Sequence, residues 1–249
     1  MKVAGKVVVI TGAGNGMARE VTLECIRRGA KVAAVDINQE ALDETVRLAG
    51  SPATGLSTHI VNIADLTQVS ALPEAVIAAH GQVDGIMNIA GIIHQFKRVN
   101  DLSYDDVHRV FNVNFFGTVH MCKEFLPHLL ARSEAQILNI SSMGGYVPVP
   151  GQTIYGASKA AVKLFTEGLR AECAGTNVGV ALLFPGAIAT NMPVNSGLMS
   201  QAEADAMAKQ GGKQYKTTPA DATMMDRLSR LVPERAAKLI QKQMQALLR

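Results

Sequence analysis

Lys6-Val7-Val8-Val9-Ile10-Thr11-Gly12-Ala13-Gly14-Asn15-Gly16-Met17-Ala18 is the stretch whose reading decides the fold. Residues 6–11 form a β-branched run that reads as a buried strand, and it breaks on alternate glycines before a helical pattern near 15–29. Glycines at such a turn let the backbone bend sharply and approach a pyrophosphate. The helix N-terminus that follows offers free N–H groups and a positive dipole end. The common G-x-G-x-x-G spacing is not met, because Met17 stands where the third glycine is expected. Taken alone, the turn is equally readable as tight chain reversal.

Further strands are expected at 31–36, 57–63, 84–88, 136–141 and 178–184, each near-continuous in hydrophobicity, as strands covered on both faces should be. Helical patterns lie between them near 39–49, 65–80, 104–132 and 153–174, with Ser103-Tyr104-Asp105-Asp106 resembling a capping box. Repeated β–α–β units with right-handed crossovers predict an α/β fold, a single-domain doubly wound parallel sheet of Rossmann type with helices on both faces. The one domain spans 1–249. Residues 191–218, rich in Ala, Met, Gln and Gly, read as a lid over a substrate site, and 219–249 as a C-terminal helical segment.

The 249 residues carry 48% hydrophobic and 18% charged side chains, which excludes a disordered chain. The formal charge of +3 collects in the tail, where Arg227, Arg230, Arg235, Lys238, Lys242 and Arg249 face only Asp226 and Glu234. With no basic stripe on the body, nucleic acid is not an expected partner. The amphipathic 233–249 helix reads as docked on the domain, and its basic face leaves peripheral membrane attachment as the alternative. Cys25, Cys122 and Cys173 are odd in number and far apart, so core packing in a reducing cytoplasm is expected. The strand beginning by Val7 leaves no room for a signal peptide, and the longest apolar stretch is too short to span a bilayer.

Asp36 closes the second strand some twenty residues after the glycine turn, where a carboxylate can accept hydrogen bonds from an adenosine ribose. It would repel a 2′-phosphate, and neither Ile37 nor Asn38 brings a cation, so NAD is favoured over NADP. Tyr155 and Lys159 stand four apart, one helical turn, and share a face. A phenol titrates near ~10, too high for a base at neutral pH, and a neighbouring ammonium with a cationic nicotinamide would lower it. Ser142 follows the fifth strand at the sheet's carboxyl edge, where it can hydrogen-bond a reacting carbonyl. Asn114, expected inside a long helix, either holds a water linking Lys159 to solvent or is satisfied structurally across a kink.

Together these stretches resemble the short-chain dehydrogenase/reductase family, in order from Thr11 to Thr190. Thr11-Gly12 through Gly16 is similar to its TGxxxGxG turn, which implies cofactor contacts at Gly12, Asn15, Gly16 and Met17. The acidic position and its neighbour are Asp36 and Ile37. Asn62 and Ile63 take the place of an adenine contact often made by Asp. Asn88-Ile89-Ala90-Gly91 resembles the NNAG segment, so Asn88, Ala90 and Gly91 would border the adenosine. Pro185-Gly186-Ala187-Ile188-Ala189-Thr190 resembles PGxIxT, which implies that Ile188 meets the carboxamide and Thr190 the phosphates. Asn114, Ser142, Tyr155 and Lys159 match the Asn-Ser-Tyr-Lys tetrad. In the family the Ser orients substrate and the Tyr is acid/base. The Lys binds the nicotinamide ribose and lowers the Tyr pKa, and the Asn anchors a relay water. Ala18 departs from the pattern at a helix packing contact, and Asn62 and Ile89 depart from it at the adenine end, away from the chemistry.

The resemblance implies an oxidoreductase moving a hydride between NAD(H) and a secondary alcohol or ketone, assembled as a homodimer through the fourth and fifth helices or a homotetramer. A cofactor-binding regulator of the same fold and a sugar-nucleotide epimerase-like enzyme are the alternatives. No metal is expected, because His59, His80, His94, His108, His120 and His128 show no ligand spacing. His94, just beyond Gly91, reads as a loop residue or one bordering substrate. Met192, Met199 and Met207 read as the lining of an adaptable pocket or as lid packing.

Overall fold

The computed structural model of the chain describes residues 1–50, 55–186, 192–198 and 200. Strands are β1 (Val7–Thr11), β2 (Lys31–Asp36), β3 (Leu56–Ile60), β4 (Gly85–Asn88), β5 (Ala135–Ile140) and β6 (Val178–Leu183). Helices are α1 (Gly16–Arg27), α2 (Gln39–Ala49), α3 (Leu66–His80), α4 (Tyr104–Phe111), α5 (Gly117–Leu130), α6 (Thr153–Glu172) and α7 (Met192–Asn195). The described residues form two compact units. One comprises 1–91, 116–140 and 165–182; the other comprises 92–115, 141–164 and what is described from 183 onward.

The first unit is built on a parallel six-stranded sheet in the order β3-β2-β1-β4-β5-β6, flanked by helices, the doubly wound architecture expected. Every side chain of β1 is buried, which is why its sequence shows no polar alternation. Val8 and Ile10 share a core cluster with Val32, Ala34, Leu42 and Ala18. At the edge, β3 alternates half-buried and exposed positions, as an edge strand must. Thr11 of β1 pairs with Val35 on one side and Asn88 on the other. Chain order therefore reverses at β1, and in such sheets ligands bind beyond the carboxyl ends of the strands at that point.

Asp84 locks the opposite end of β1. Its Oδ2 accepts from Val7 N–H at 2.9 Å and Gln82 Nε2 at 2.8 Å, while Oδ1 accepts from Arg132 Nε at 2.9 Å. Burial would raise the carboxyl's pKa, but these donors and the Arg132 charge together hold it below its ordinary value.

Helix starts follow the sequence. Asn15, Asn38, Asp65 and Ser103 cap α1, α2, α3 and α4 with side-chain oxygens on free N–H groups. The Ser103 cap differs from a reciprocal box, since its hydroxyl also donates to the Asp106 carboxylate at 2.9 Å. Two expected spans are corrected. The strand read over 57–63 stops at Ile60, because after the Val61 N–H reaches the Asp36 carbonyl the chain turns through Asn62. The helix read over 104–132 is broken by a π-helical turn at Asn112–Phe116. The three cysteines are free and buried, as core packing requires.

No helix among the described residues is long and apolar enough to cross a membrane. The lid expected over 191–218 falls outside the described residues apart from 192–198 and 200. The helical segment expected over 219–249 falls wholly outside them.

Candidate active site

In the first unit β1 delivers the chain to Gly12, whose φ of +75° and close approach both exclude a side chain. A Cβ there would sit 3.0 Å from the Ala90 Cα, and one at Gly14 would sit 2.8 Å from the Ala41 Cβ and 2.9 Å from Asp36 Oδ2. The turn is therefore held open at backbone width. The Gly14 N–H donates to Asp36 Oδ2 at 2.9 Å, and the Asn38 N–H donates to Oδ1 at 3.0 Å. Asn15 Oδ1 accepts from the Gly16 N–H at 2.7 Å and opens α1. Met17 packs against the core cluster from its margin, whereas Ile37 is 65% exposed beyond β2.

Thr11 Oγ1 accepts from the N–H groups of Ile89 at 3.0 Å and Ala90 at 3.2 Å, tying the glycine turn to the chain leaving β4. Gly12, Gly14, Asp36 and Ala90 are thus brought together, with Gly91 next in the chain. The Asn88 side chain turns the other way: its Nδ2 donates to Asn139 Oδ1 at 2.8 Å inside the sheet and braces β4 against β5, while its main chain stays beside Thr11. Asn62 Oδ1 accepts from the Ala64 N–H at 3.0 Å, and the Ile63 carbonyl is 3.0 Å from His120 Nδ1. Nothing described joins either residue to the turn. Arg19, which the sequence reading passed over, donates to the Gly14 and Ala41 carbonyls and to Thr45 Oγ1. It clamps the turn from α1, and its only sequence signal is an Arg one helical turn past the glycines.

The second unit holds the four residues expected to form the tetrad, Asn114, Ser142, Tyr155 and Lys159. Ser142 stands two residues past β5, with its Oγ accepting from the Gly144 N–H at 3.1 Å, and a Cβ at Gly144 would lie 3.5 Å from both that Oγ and the Tyr155 ring. Tyr155 and Lys159 lie one turn apart on α6, and the Lys159 carbonyl accepts from Ser141 Oγ at 2.7 Å. Burial raises the Tyr155 pKa, and the Ser142 hydroxyl offsets only part of that. Lys159, 3% exposed, is brought down by burial to about 8.

Asn114 sits fully buried in the π-helical turn. Its Oδ1 accepts from the Ile92 N–H at 2.8 Å, and its Nδ2 donates to the Ile92 carbonyl at 2.9 Å and to Ser158 Oγ at 3.0 Å. Ser158 in turn donates to the Tyr155 carbonyl at 2.7 Å. Asn114 therefore couples the 92 backbone to the helix that carries Tyr155, as the kink reading expects, and such turns recur at functional sites. Ser158 was legible only as a spacer in the Tyr155–Lys159 pentad. The Pro185 carbonyl accepts from the Met143 N–H at 3.1 Å, and Gly186 follows it. Ile188 and Thr190 lie outside the described residues. Chemically, a Ser and a Tyr hydroxyl close together can both hydrogen-bond an alcohol or carbonyl oxygen.

Residues 6–200 match the sequence model of the short chain dehydrogenase family. A putative oxidoreductase SadH of Mycobacterium tuberculosis is 39% identical over 194 residues, covering 77% of this chain and 70% of that one. A short chain dehydrogenase/reductase from Burkholderia phymatum, solved in complex with NAD, superposes with a TM-score of 0.76 at 28% identity, covering 99% of this chain and 87% of that one. The closed form of a serine dehydrogenase complexed with NADP+ gives a TM-score of 0.76 at 26% identity, covering 91% and 90%.

Proposed function

The chain belongs to the short-chain dehydrogenase/reductase family of oxidoreductases, and from that premise we propose that it moves a hydride between NAD(H) and a secondary alcohol or ketone, with Tyr155 as general acid/base. The observation that supports this best is that one unit gathers Ser142 and Tyr155 around Gly144, with Lys159 one turn from Tyr155 on α6. Residues 1–249 act in this proposal as one oxidoreductase domain, a cytoplasmic homodimer or homotetramer whose partner is a small alcohol or carbonyl compound.

The glycine turn fits a dinucleotide, because Gly12 and Gly14 leave no room for side chains and the capped start of α1 presents N–H groups to a phosphate. Contacts are assigned to Gly12, Asn15, Gly16, Met17, Asp36, Ile37, Asn62, Ile63, Asn88, Ala90, Gly91, Tyr155, Lys159, Pro185, Gly186, Ile188 and Thr190. The Asp36 carboxylate, followed by uncharged Ile37 and Asn38, favours NAD over NADP. Relatives solved with either cofactor support a nicotinamide in general. When bound, the nicotinamide carries the hydride and a positive ring charge.

The protein's own groups handle the proton. Burial keeps the Tyr155 phenol protonated at rest, so it is set to donate to a carbonyl oxygen in reduction. Taking a proton from an alcohol needs positive charge beside Oη, which Lys159 contributes in its ammonium form, the form that predominates below about 8. Ser142 orients the reacting oxygen, and Asn114 positions the tetrad's backbone.

Tyr155→Phe removes the exchangeable proton while keeping the ring. Turnover of hydroxy compounds, scored by NADH appearance, should fall by about 100-fold or more while NADH binding persists. A Phe variant that retains above about a tenth of the rate overturns the acid/base role. Wild-type protein that turns over NADP faster than NAD overturns the cofactor preference.

A further inference from the structure

Ser57, His59 and His80 meet in the first unit, on the edge of the sheet and away from the glycine turn. Ser57 and His59 stand two apart on the edge strand β3 and so share one of its faces. α3 stops at His80, because Gly81 follows in the left-handed conformation at φ +81° and its N–H bonds the Ile77 carbonyl at 2.7 Å. His80 is thereby set beside β3. It lies 23 positions after Ser57, a separation that no ligand spacing in the sequence records.

Both imidazoles aim the same atom at one point. Ser57 Oγ lies 2.8 Å from His59 Nε2 and 2.7 Å from His80 Nε2. The hydroxyl has one proton to give, so one Nε2 accepts it as a bare lone pair and the other donates its own proton to Oγ. A tautomer exchange that moves this second proton to Nδ1 leaves two lone pairs converging. Ser57 and His80 also line a cavity of about 760 Å³, so the point is within reach of an ion. The last turns of α1, α2 and α3 reach that cavity through Ile26, Ala49, Ala79 and His80, and helix C-termini favour a cation. Lys31 lines the cavity as well and opposes a second cation: burial, and then the Lys31 charge, hold His80 below its ordinary pKa.

We propose that His59 Nε2 and His80 Nε2 together bind a divalent transition-metal ion of the class that imidazole holds, with Zn²⁺ as the probe. Zinc–nitrogen bonds of about 2.0–2.1 Å need each ring to close by about 0.7 Å on the point that Ser57 Oγ occupies, with the hydroxyl rotating aside and water completing the shell. Among the described residues no acidic or cysteine side chain joins the pair, and Lys31 stands near, so binding is reversible and weaker than at a closed structural site. The bound ion staples the end of α3 to β3, which pairs with β2 alone among the described strands. The site stands apart from the hydride chemistry and does not depend on it.

The test titrates ZnCl₂ into the full chain, free of any affinity tag and labelled with ¹⁵N at histidine. The first equivalent should move the Nε2 resonances of His59 and His80 together and leave His94, His108, His120 and His128 in place. No shift at the pair, or an earlier shift at another histidine, overturns the proposal. In equilibrium dialysis His59→Gln and His80→Gln should each weaken Zn²⁺ binding by about tenfold or more. His108→Gln, at an exposed position on α4, should change it by less than about twofold. Ser57→Cys puts a thiolate at the point both rings address and should tighten binding by about tenfold or more. Zinc held no tighter by Ser57→Cys, or held by both glutamine variants as by wild type, overturns the proposal. Where a variant fails to fold, the wild-type titration decides alone.

Discussion

Lys159 pairs near-complete burial with a charge, and its pKa of about 8 has a thermodynamic consequence apart from catalysis. In the unfolded chain the same ammonium titrates near its ordinary 10.5. Between those values the unfolded chain holds a proton that the folded chain has released, so stability rises with pH across that window and gains nothing below it. Tyr155, whose folded pKa is raised, acts with the opposite sign above about 10 and sets the upper limit of a clean measurement. Urea midpoints taken at about pH 7.5 and about pH 9.5 should therefore climb more steeply for wild type than for Lys159→Met. Equal slopes would mean that Lys159 keeps its ordinary pKa when folded. The residues proposed as the tetrad could be picked out from sequence because the chemistry asked of them resides in residue type and spacing. Arg19 could not, because what makes it a clamp on the glycine turn is its bonds to the Gly14 and Ala41 carbonyls, which no spacing records.

Elements were read most securely where burial is two-sided. β1 and β2 match expectation because a fully covered strand has no polar interruptions. β3 was overextended because an edge strand loses its ladder partner as soon as the chain turns, and residues 61–63 are as apolar as those before them. The π-helical turn escaped because one wider turn leaves composition and apolar spacing nearly unchanged, while Asn114 Oδ1 and Nδ2 turn to the Ile92 backbone. The Asp84 anchor was equally hidden, since Arg132 follows it by 48 positions. Replacing that arginine tests how far β1, β4 and the end of α5 depend on it. Arg132→Met should cost about 2–3 kcal/mol at neutral pH, because a fully buried carboxylate loses its charged donor. Asp84's folded pKa is depressed, so its contribution is present above the unfolded value and lost as pH falls through the folded one. The deficit should accordingly shrink in acid, and a deficit constant down to about pH 3 would show that Arg132 acts through packing alone.

Across the molecule the three thiols report how tightly it stays closed. Burial raises Cys25 and Cys173 and pushes Cys122 up to about 12, which leaves little thiolate at neutral pH. A thiol reagent should label none within minutes in native buffer and all three in denaturant. Prompt labelling of native protein would locate a segment that opens well below the global unfolding free energy. The strand order bears on synthesis as well. Val7 must wait for Asp84, 77 positions later, before that side of β1 is covered. A ribosome extending the chain at roughly 5–20 residues per second leaves the edge of this mostly apolar strand uncovered for roughly 4–15 s. Codons that slow elongation between β3 and β4 would lengthen that interval, and the nascent chain's demand for a chaperone would rise with it, although the finished enzyme would be identical.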